Sequence, residues 1–111
     1  MSKLRRDLKL STPAGTVTVP IVIFEPAHRG RYWECRYEIG WPEGVSASEA
    51  RGADSVQALL LAMQDIAIHL YASKHHKSGR LYWERPGQGY GLPMPKVGRG
   101  QLVGEDRLAE L

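Results

Sequence analysis

Apolar and polar positions alternate along three segments of the first 41 residues, and this period of two predicts three half-buried β-strands. The alternation is clear over residues 3–10 and 31–41, while residues 16–24 are rich in β-branched side chains. Pro20 lies inside the second strand and cannot donate a ladder hydrogen bond. That strand is therefore expected at a sheet edge or with a bulge. Residues 42–53 predict a loop by composition.

Residues 54–77 predict one long helix that follows the loop. Asp54 is a suitable N-cap, and Gln57 three residues later forms a variant of the capping box. At about 100° per residue, the apolar residues form one stripe that would pack against the sheet, comprising Val56, Leu59, Leu60, Met63, Ala67, Leu70 and Tyr71. Ser78 and Gly79 are expected to end the helix.

A short fourth strand is predicted at residues 80–85, which completes the order β-β-β-α-β. This order predicts an α+β fold, in which a three- to four-stranded antiparallel sheet carries one long helix on one face. We expect a single domain over residues 1–85. Residues 86–111 are rich in Gly and Pro and are expected to form an irregular C-terminal tail that can pack on the domain.

Length and composition indicate a cytoplasmic protein with one hydrophobic core. The chain has 111 residues, a net charge of +3 and a single cysteine, Cys35, which excludes an internal disulfide. The N-terminus lacks the continuous apolar run of a signal peptide. The longest apolar stretch, 58–72, is interrupted by Gln64, Asp65 and His69, so no membrane-spanning helix is predicted.

One cluster in the predicted helix raises the question of a metal site, because Asp65, His69 and His76 project from a single face. His76, however, lies roughly 10 Å along the axis from His69, and zinc bonds are only about 2 Å long. We interpret Asp65 and His69 as a surface pair, and His75 and His76 as part of the helix end. No catalytic residue, metal or cofactor is predicted.

Cys35 falls between Trp33 and Tyr37 on the inward face of the third strand. A catalytic thiol needs an electropositive, partly exposed setting and a nearby base. We expect a buried cysteine that behaves as a small hydrophobic residue.

Leu61 and Ile68 form a candidate partner face, because they lie about 120–140° from the centre of the apolar stripe. A sheet packed against one side of the helix would leave both in water. They could be exposed singly, covered by residues 90–95, or contacted by another protein or a second copy of the chain.

An alternative function is nucleic-acid binding through the outer face of the third strand and the turn before it. The residues that would form this basic and aromatic face are Arg29, Arg31, Tyr32 and Arg36. Glu34 and Glu38 occupy the same face and dilute its positive charge.

A family resemblance is carried by three segments, YWECRYEIGWP, GADSVQALLLAMQDIAIHL and LYWERPGQGYGLPMP. They resemble a family of small uncharacterised bacterial proteins with a Trp-x-Cys strand, a Gly-x-Asp-Ser helix start and a Gly-Leu-Pro closing segment. The resemblance covers residues 31–95 and implies a fold but no functional residues. More distantly, three strands before a helix that opens at Gly52 and Asp54 are similar to HicB-like antitoxin domains.

Taken with the lack of a catalytic constellation, these features favour a non-enzymatic protein-interaction module of the immunity or antitoxin kind. Its expected partner is another protein or a second copy, bound through an exposed face or a sheet edge. Nucleic acid is the less favoured partner.

Overall fold

The computed structural model describes residues 2–94, and it has an α+β fold in which a six-stranded antiparallel sheet carries one main helix. The strands are β1 (Lys3–Thr12), β2 (Gly15–Phe24), β3 (Ala27–His28), β4 (Trp33–Trp41), β5 (Gly44–Gly52) and β6 (Leu81–Tyr82), and the helices are α1 (Ser55–Ala72) and the short α2 (Lys74–Lys77). The predicted fold class is confirmed, but the number and order of the strands differ from the prediction.

Two long hairpins make up most of the sheet. The β1–β2 hairpin closes at the Thr12–Gly15 pair, and the β4–β5 hairpin closes at the Trp41–Gly44 pair. β4 joins the two hairpins by pairing with β2 over the three positions from Ile21 to Ile23. The strands therefore lie in the order β5-β4-β2-β1-β6, with β3 beside β4 at the end of β2.

The prediction of a loop over 42–53 is wrong, because β5 occupies nine of these residues. β5 pairs with β4 along its whole length, and only residues 42 and 43 form the turn. The strand was hidden because its side chains are small or charged rather than β-branched. The positions that face α1 include Ser46, Ser48 and Ala50, whose small size lets the helix pack close to the strand.

The prediction of β2 as an edge strand is wrong, because β2 is central, although no β4 residue pairs with Pro20 itself. β2 pairs with β1 on one side and with β4 on the other. The β2–β4 ladder ends at Ile21, next to Pro20. No β4 residue therefore needs the backbone N–H that proline lacks. The ring of Pro20 instead lies against Gly40, where an added Cβ would come within 2.7 Å of Pro20 Cγ.

The predicted start of the helix is confirmed, whereas its end is not. Asp54 Oδ1 accepts a hydrogen bond from the Gln57 backbone N–H at 2.8 Å, and Gln57 Oε1 accepts one from the Ala53 N–H at 2.6 Å. α1 ends at Ala72 because Ser73 adopts an extended conformation. The Ser73 hydroxyl then caps α2, so the predicted helix over 54–77 is two helices.

The buried face of α1 is rotated from the predicted stripe. Its buried residues are Ala58, Ala62, Ile66, Ala67, Leu70 and Tyr71. Val56 is 72% exposed and Leu60 is 41% exposed, although both belonged to the predicted stripe. The alanines place the backbone of α1 close to β5, and a Cβ added to Gly52 would lie 2.4 Å from the Ala58 nitrogen.

The second half of the core is filled by residues 83–94, which we call the C-terminal segment. Tyr90, Leu92 and Met94 of this segment are buried with the inward side chains of β1 and β2, such as Leu8 and Ile21. The part of the predicted tail up to residue 94 therefore packs on the sheet. Residues 95–111 of that tail lie outside the described residues.

By length and composition alone, α1 satisfies the requirements for crossing a membrane, with 18 residues and a mean hydropathy of 1.2. Core helices pass the same test. The Ala58, Ala62 and Ile66 side chains of α1 are fully buried in the core, whereas Val56, Leu60 and Ile68 are exposed.

We predict that Gly52→Ala lowers the free energy of unfolding by at least about 2 kcal/mol, because the new methyl group would meet the backbone of α1 rather than a movable side chain. Urea denaturation measures the change. Ala53→Ser is the control, because Ala53 is exposed and should shift stability by no more than about 0.5 kcal/mol. Equal stability of the Gly52→Ala and Ala53→Ser proteins would contradict the proposed close packing.

Candidate interaction surface

Arg6 holds the C-terminal segment onto the sheet. It breaks the apolar alternation of β1 and lies on the inner face, beside the core. Its guanidinium lies 3.9 Å from the centre of the Trp83 ring, and its Nη1 donates hydrogen bonds to the carbonyls of Tyr90 at 2.9 Å and Gly91 at 3.0 Å. Arg6, a polar residue in an apolar row, thus binds a segment that lies 84 residues away in sequence.

His76 holds the same part of the C-terminal segment, through the side chain of Tyr90. A hydrogen bond of 2.5 Å joins its Nδ1 to the Tyr90 hydroxyl, and its ring packs 4.6 Å from that of Tyr71. Burial lowers the pKa of His76, because a charged imidazole would lose its hydration there. A cavity of about 230 Å³ lies beside this pair and includes Gly87 and Gly89 in its wall.

Asp65, His69 and His76, which the sequence raised as possible metal ligands, do not form one cluster. Asp65 and His69 remain on α1, whereas His76 belongs to α2 and bonds to Tyr90. Within residues 2–94, no three His, Cys, Asp or Glu side chains form a group that could hold a metal ion. Burial raises the pKa of Asp65, and the nearby His69 partly offsets that rise.

His75 links α2 to the β4–β5 turn, a contact that helix-end chemistry did not predict. Its Nε2 lies 3.0 Å from a carboxylate oxygen of Glu43, and its ring stacks on Trp41 at 5.1 Å. The Glu43 backbone N–H, together with His75, holds the pKa of this carboxyl below its ordinary value. The interpretation of His75 as part of a helix end is therefore incomplete.

Cys35 is fully buried, and its thiol donates a weak hydrogen bond to the Phe24 carbonyl at 3.4 Å. Burial raises the pKa of the thiol, which keeps it protonated and poorly nucleophilic. This geometry fits the predicted structural role.

β5 presents an open strand edge, because among the described residues it pairs only with β4. Trp41 and Gly44 pair across a two-residue turn, and the pair next to such a turn is hydrogen-bonded. Hydrogen-bonded and non-bonded pairs alternate along an antiparallel ladder. The backbone N–H and C=O groups that point away from β4, which we call the β5 edge, therefore belong to Val45, Ala47, Glu49 and Arg51.

The candidate partner residues Leu61 and Ile68 lie on α1, the helix that packs on β5 and β4. One side of α1 packs Tyr71 against Tyr90, and the C-terminal segment lies over β1. At about 100° per residue, Leu61 and Ile68 lie about 80° and about 60° from Tyr71, and about 60° and about 80° from Ala58, which packs against Gly52 of β5. They therefore lie on the solvent-facing part of α1 between these two contacts. Ile68 is 41% exposed, whereas Leu61 is half-buried and contacts the core. The structure thus adds a strand edge that the sequence prediction missed.

The residues of the candidate nucleic-acid face lie among acidic partners. Arg29 forms an ion pair with Glu34 at 3.2 Å. Arg36 is paired across the ladder with Glu49. Tyr32 lies beneath the Arg51 guanidinium, 4.6 Å from it, while Arg31 is exposed. The outer sheet face is therefore a pattern of alternating charges rather than a basic surface.

The fold and the open edge define an α+β domain with no recognisable catalytic arrangement among its described residues. The chain belongs to the family described as a domain of unknown function, DUF6968, whose model matches residues 4–94. The expected membership of an uncharacterised family is confirmed at that level, and the match begins closer to the N-terminus than residue 31. No curated protein and no solved structure matches the chain.

We predict that Arg6→Ala lowers the free energy of unfolding by about 2 kcal/mol, because two charged hydrogen bonds and the Trp83 stack are lost. Hydrogen exchange of amides in residues 88–92 should accelerate more than exchange in β4. Arg5→Ala is the matched control, because the Arg5–Asp7 pair is exposed and should be worth no more than about 1 kcal/mol. Equal losses of stability and equal hydrogen exchange in Arg6→Ala and Arg5→Ala would argue against the role of Arg6 in holding the C-terminal segment.

We predict that the free energy of unfolding decreases as pH falls below 6.5, the ordinary pKa of histidine. Unfolded His76 gains a proton near this pH, whereas folded His76 does so only at lower pH, so protons favour the unfolded chain. His76→Gln should flatten the dependence between about pH 8 and about pH 5. A slope retained in His76→Gln would assign it to other groups.

Proposed function

We propose that this protein is a non-enzymatic protein-interaction module that accepts an additional β-strand at the β5 edge. The observation that carries this proposal is the nine-residue strand with one open side. Backbone hydrogen bonds would supply affinity, and alternate side chains of the incoming strand would supply specificity. Leu61 and Ile68 would add apolar contacts only with a partner that also reaches the solvent-facing part of α1.

The contrast between the two long edges supports this choice. Natural proteins protect exposed edges with lysine, proline, inward-pointing charge or a covering element. β1 carries Lys3, Arg5 and Lys9 and is covered at one end by β6. β5 contains no lysine and no proline between Gly44 and Gly52, and its exposed Val45 is apolar. The unprotected edge is the one that we assign to a partner.

We further propose that binding acts by occlusion, as in immunity proteins and antitoxins, and that it takes place in the cytoplasm. The module would cover a surface of its partner without chemistry of its own. Nucleic-acid binding is the weaker candidate, because Arg29 and Arg36 are each matched by a glutamate. A basic groove concentrates positive charge instead.

Site-specific photo-crosslinking in a native extract tests the use of the edge. A benzophenone side chain at Val45, which is 67% exposed on β5, should give a discrete crosslinked product identified by mass spectrometry. The same probe at Lys77, which is exposed on α2, should give none. Ala47→Pro should abolish the product from Val45, because it removes an outward N–H while the β4 ladder remains.

Ala47→Ser is the matched control, because it keeps the N–H and should retain crosslinking. Circular dichroism verifies that both variants fold. A product that survives Ala47→Pro in the folded protein, or that forms equally from Lys77, would exclude strand addition at β5.

A further inference from the structure

We propose that the β5 edge binds the same edge of a second copy, so that two sheets join through antiparallel pairing centred on Ala50. The proposal rests on the proposed function and names its partner. A two-fold axis through Ala50 sets Glu49 of one copy opposite Arg51 of the second copy. The same axis sets Arg51 opposite Glu49 of the second copy, so the contact occurs twice.

The backbone geometry allows this register. The outward-facing backbone groups of β5 include those of Glu49 and Arg51, as deduced from the Trp41–Gly44 turn. Antiparallel pairing of two copies about Ala50 brings these outward groups together as hydrogen-bonded pairs. Both residues are exposed in the single chain, so neither must leave the core to form the contact.

The charge pattern selects this register. Within one copy, Glu34 of β4 is paired with Arg51, and Arg36 is paired with Glu49. The pairing about Ala50 continues each row across the interface. One row then contains Glu34, Arg51, Glu49 of the second copy and Arg36 of the second copy, with the sign changing at every step.

Other registers lose this complementarity. An axis through Glu49 would place two glutamates opposite each other, and an axis through Arg51 would place two arginines opposite each other. An axis through Ser48 would place Glu49 opposite Ala47 and Arg51 opposite Val45, without an opposite-charge pair. The axis through Ala50 is the one among these that forms two pairs of opposite charge.

The inner face of the joined sheet is compatible with the same contact. Ser48, Ala50 and Gly52 face α1 and are small, so the second copy meets no bulky side chain on that face. The pairing covers about five residues of each strand, which indicates a small interface and a dimer that exchanges with the monomer.

Charge reversal tests the proposal with purified proteins. Sedimentation velocity over a series of concentrations should show reversible dimerisation of the wild-type protein. Glu49→Arg alone would place arginines opposite each other, and Arg51→Glu alone would place glutamates opposite each other. Each variant should raise the dimer dissociation constant about tenfold or more, since both contacts become repulsive.

Mixing the two variants provides the decisive measurement. In a mixed dimer, the Glu49→Arg copy presents two arginines and the Arg51→Glu copy presents two glutamates, so both contacts are again attractive. The equimolar mixture should dimerise at least as well as the wild-type protein. Glu84→Arg and Arg80→Glu reverse exposed charges away from β5; mixing these two should not strengthen association.

A wild-type chain that remains monomeric at every concentration would overturn the proposal, as would a variant mixture that remains monomeric. Circular dichroism excludes unfolding as the cause of a weakened dimer. The crosslinking experiment separates the two proposals. An edge-dependent product with twice the chain mass supports self-pairing, whereas one with a different protein retains the proposed function and excludes the second copy as its partner.

Discussion

The close approach of α1 to β5 is the constraint on which the rest of the structure depends. Gly52 leaves no room for a Cβ beside the Ala58 backbone, and Ala58 and Ala62 keep the helix near the strand. A helix held there covers the β4–β5 half of the sheet. The β1–β2 half must then be covered by another element, because its inward residues are apolar. The C-terminal segment provides that cover, and Arg6 and His76 both bind it at Tyr90, one at the backbone carbonyl and the other at the hydroxyl.

The same constraint determines which polar residues are buried and which apolar residues are exposed. Rotation of α1 toward β5 leaves Val56 and Leu60 exposed to solvent and Leu61 half-buried against the core. On the other side, Arg6 replaces an apolar residue in the inward row of β1 so that it can bind backbone carbonyls. Each departure from the simple periodic pattern therefore has a packing cause. Among residues 2–94, no element lies beside the β5 edge, because α1 covers the face of the strand and not its side.

The sequence predicts the elements that have strong periodicity and fails where side-chain size determines the structure. The alternation of β4 and the cap at Asp54 were predicted correctly, because they depend on local chemistry. β5 was missed, because Ser46, Ser48 and Ala50 are small in order to admit the helix, and small residues have weak strand propensity. Ser73 ends α1 through an extended backbone that its sequence neighbours do not suggest.

The candidate site was predicted in part, since Leu61 and Ile68 were identified from angle alone. The strand edge of β5 depends on tertiary pairing, which periodicity does not reveal. Pro20 was placed at an edge by a rule about hydrogen bonds, although its ring lies against Gly40 where the central ladder ends. The pairing of charges across β4 and β5 could be recognised only after the register was known.

The long sequence distance bridged by Arg6 also has a consequence for the order in which the chain folds during synthesis. The β1–β2 and β4–β5 hairpins are local and can form early. The hydrogen bonds of Arg6, by contrast, cannot form until the carbonyls 84 and 85 residues later in the chain have been synthesised. Until the ribosome releases those residues, the inward side of β1 and β2 has no cover and its apolar side chains remain accessible. A nascent chain that stops before Tyr90 would therefore present a hydrophobic sheet face to chaperones.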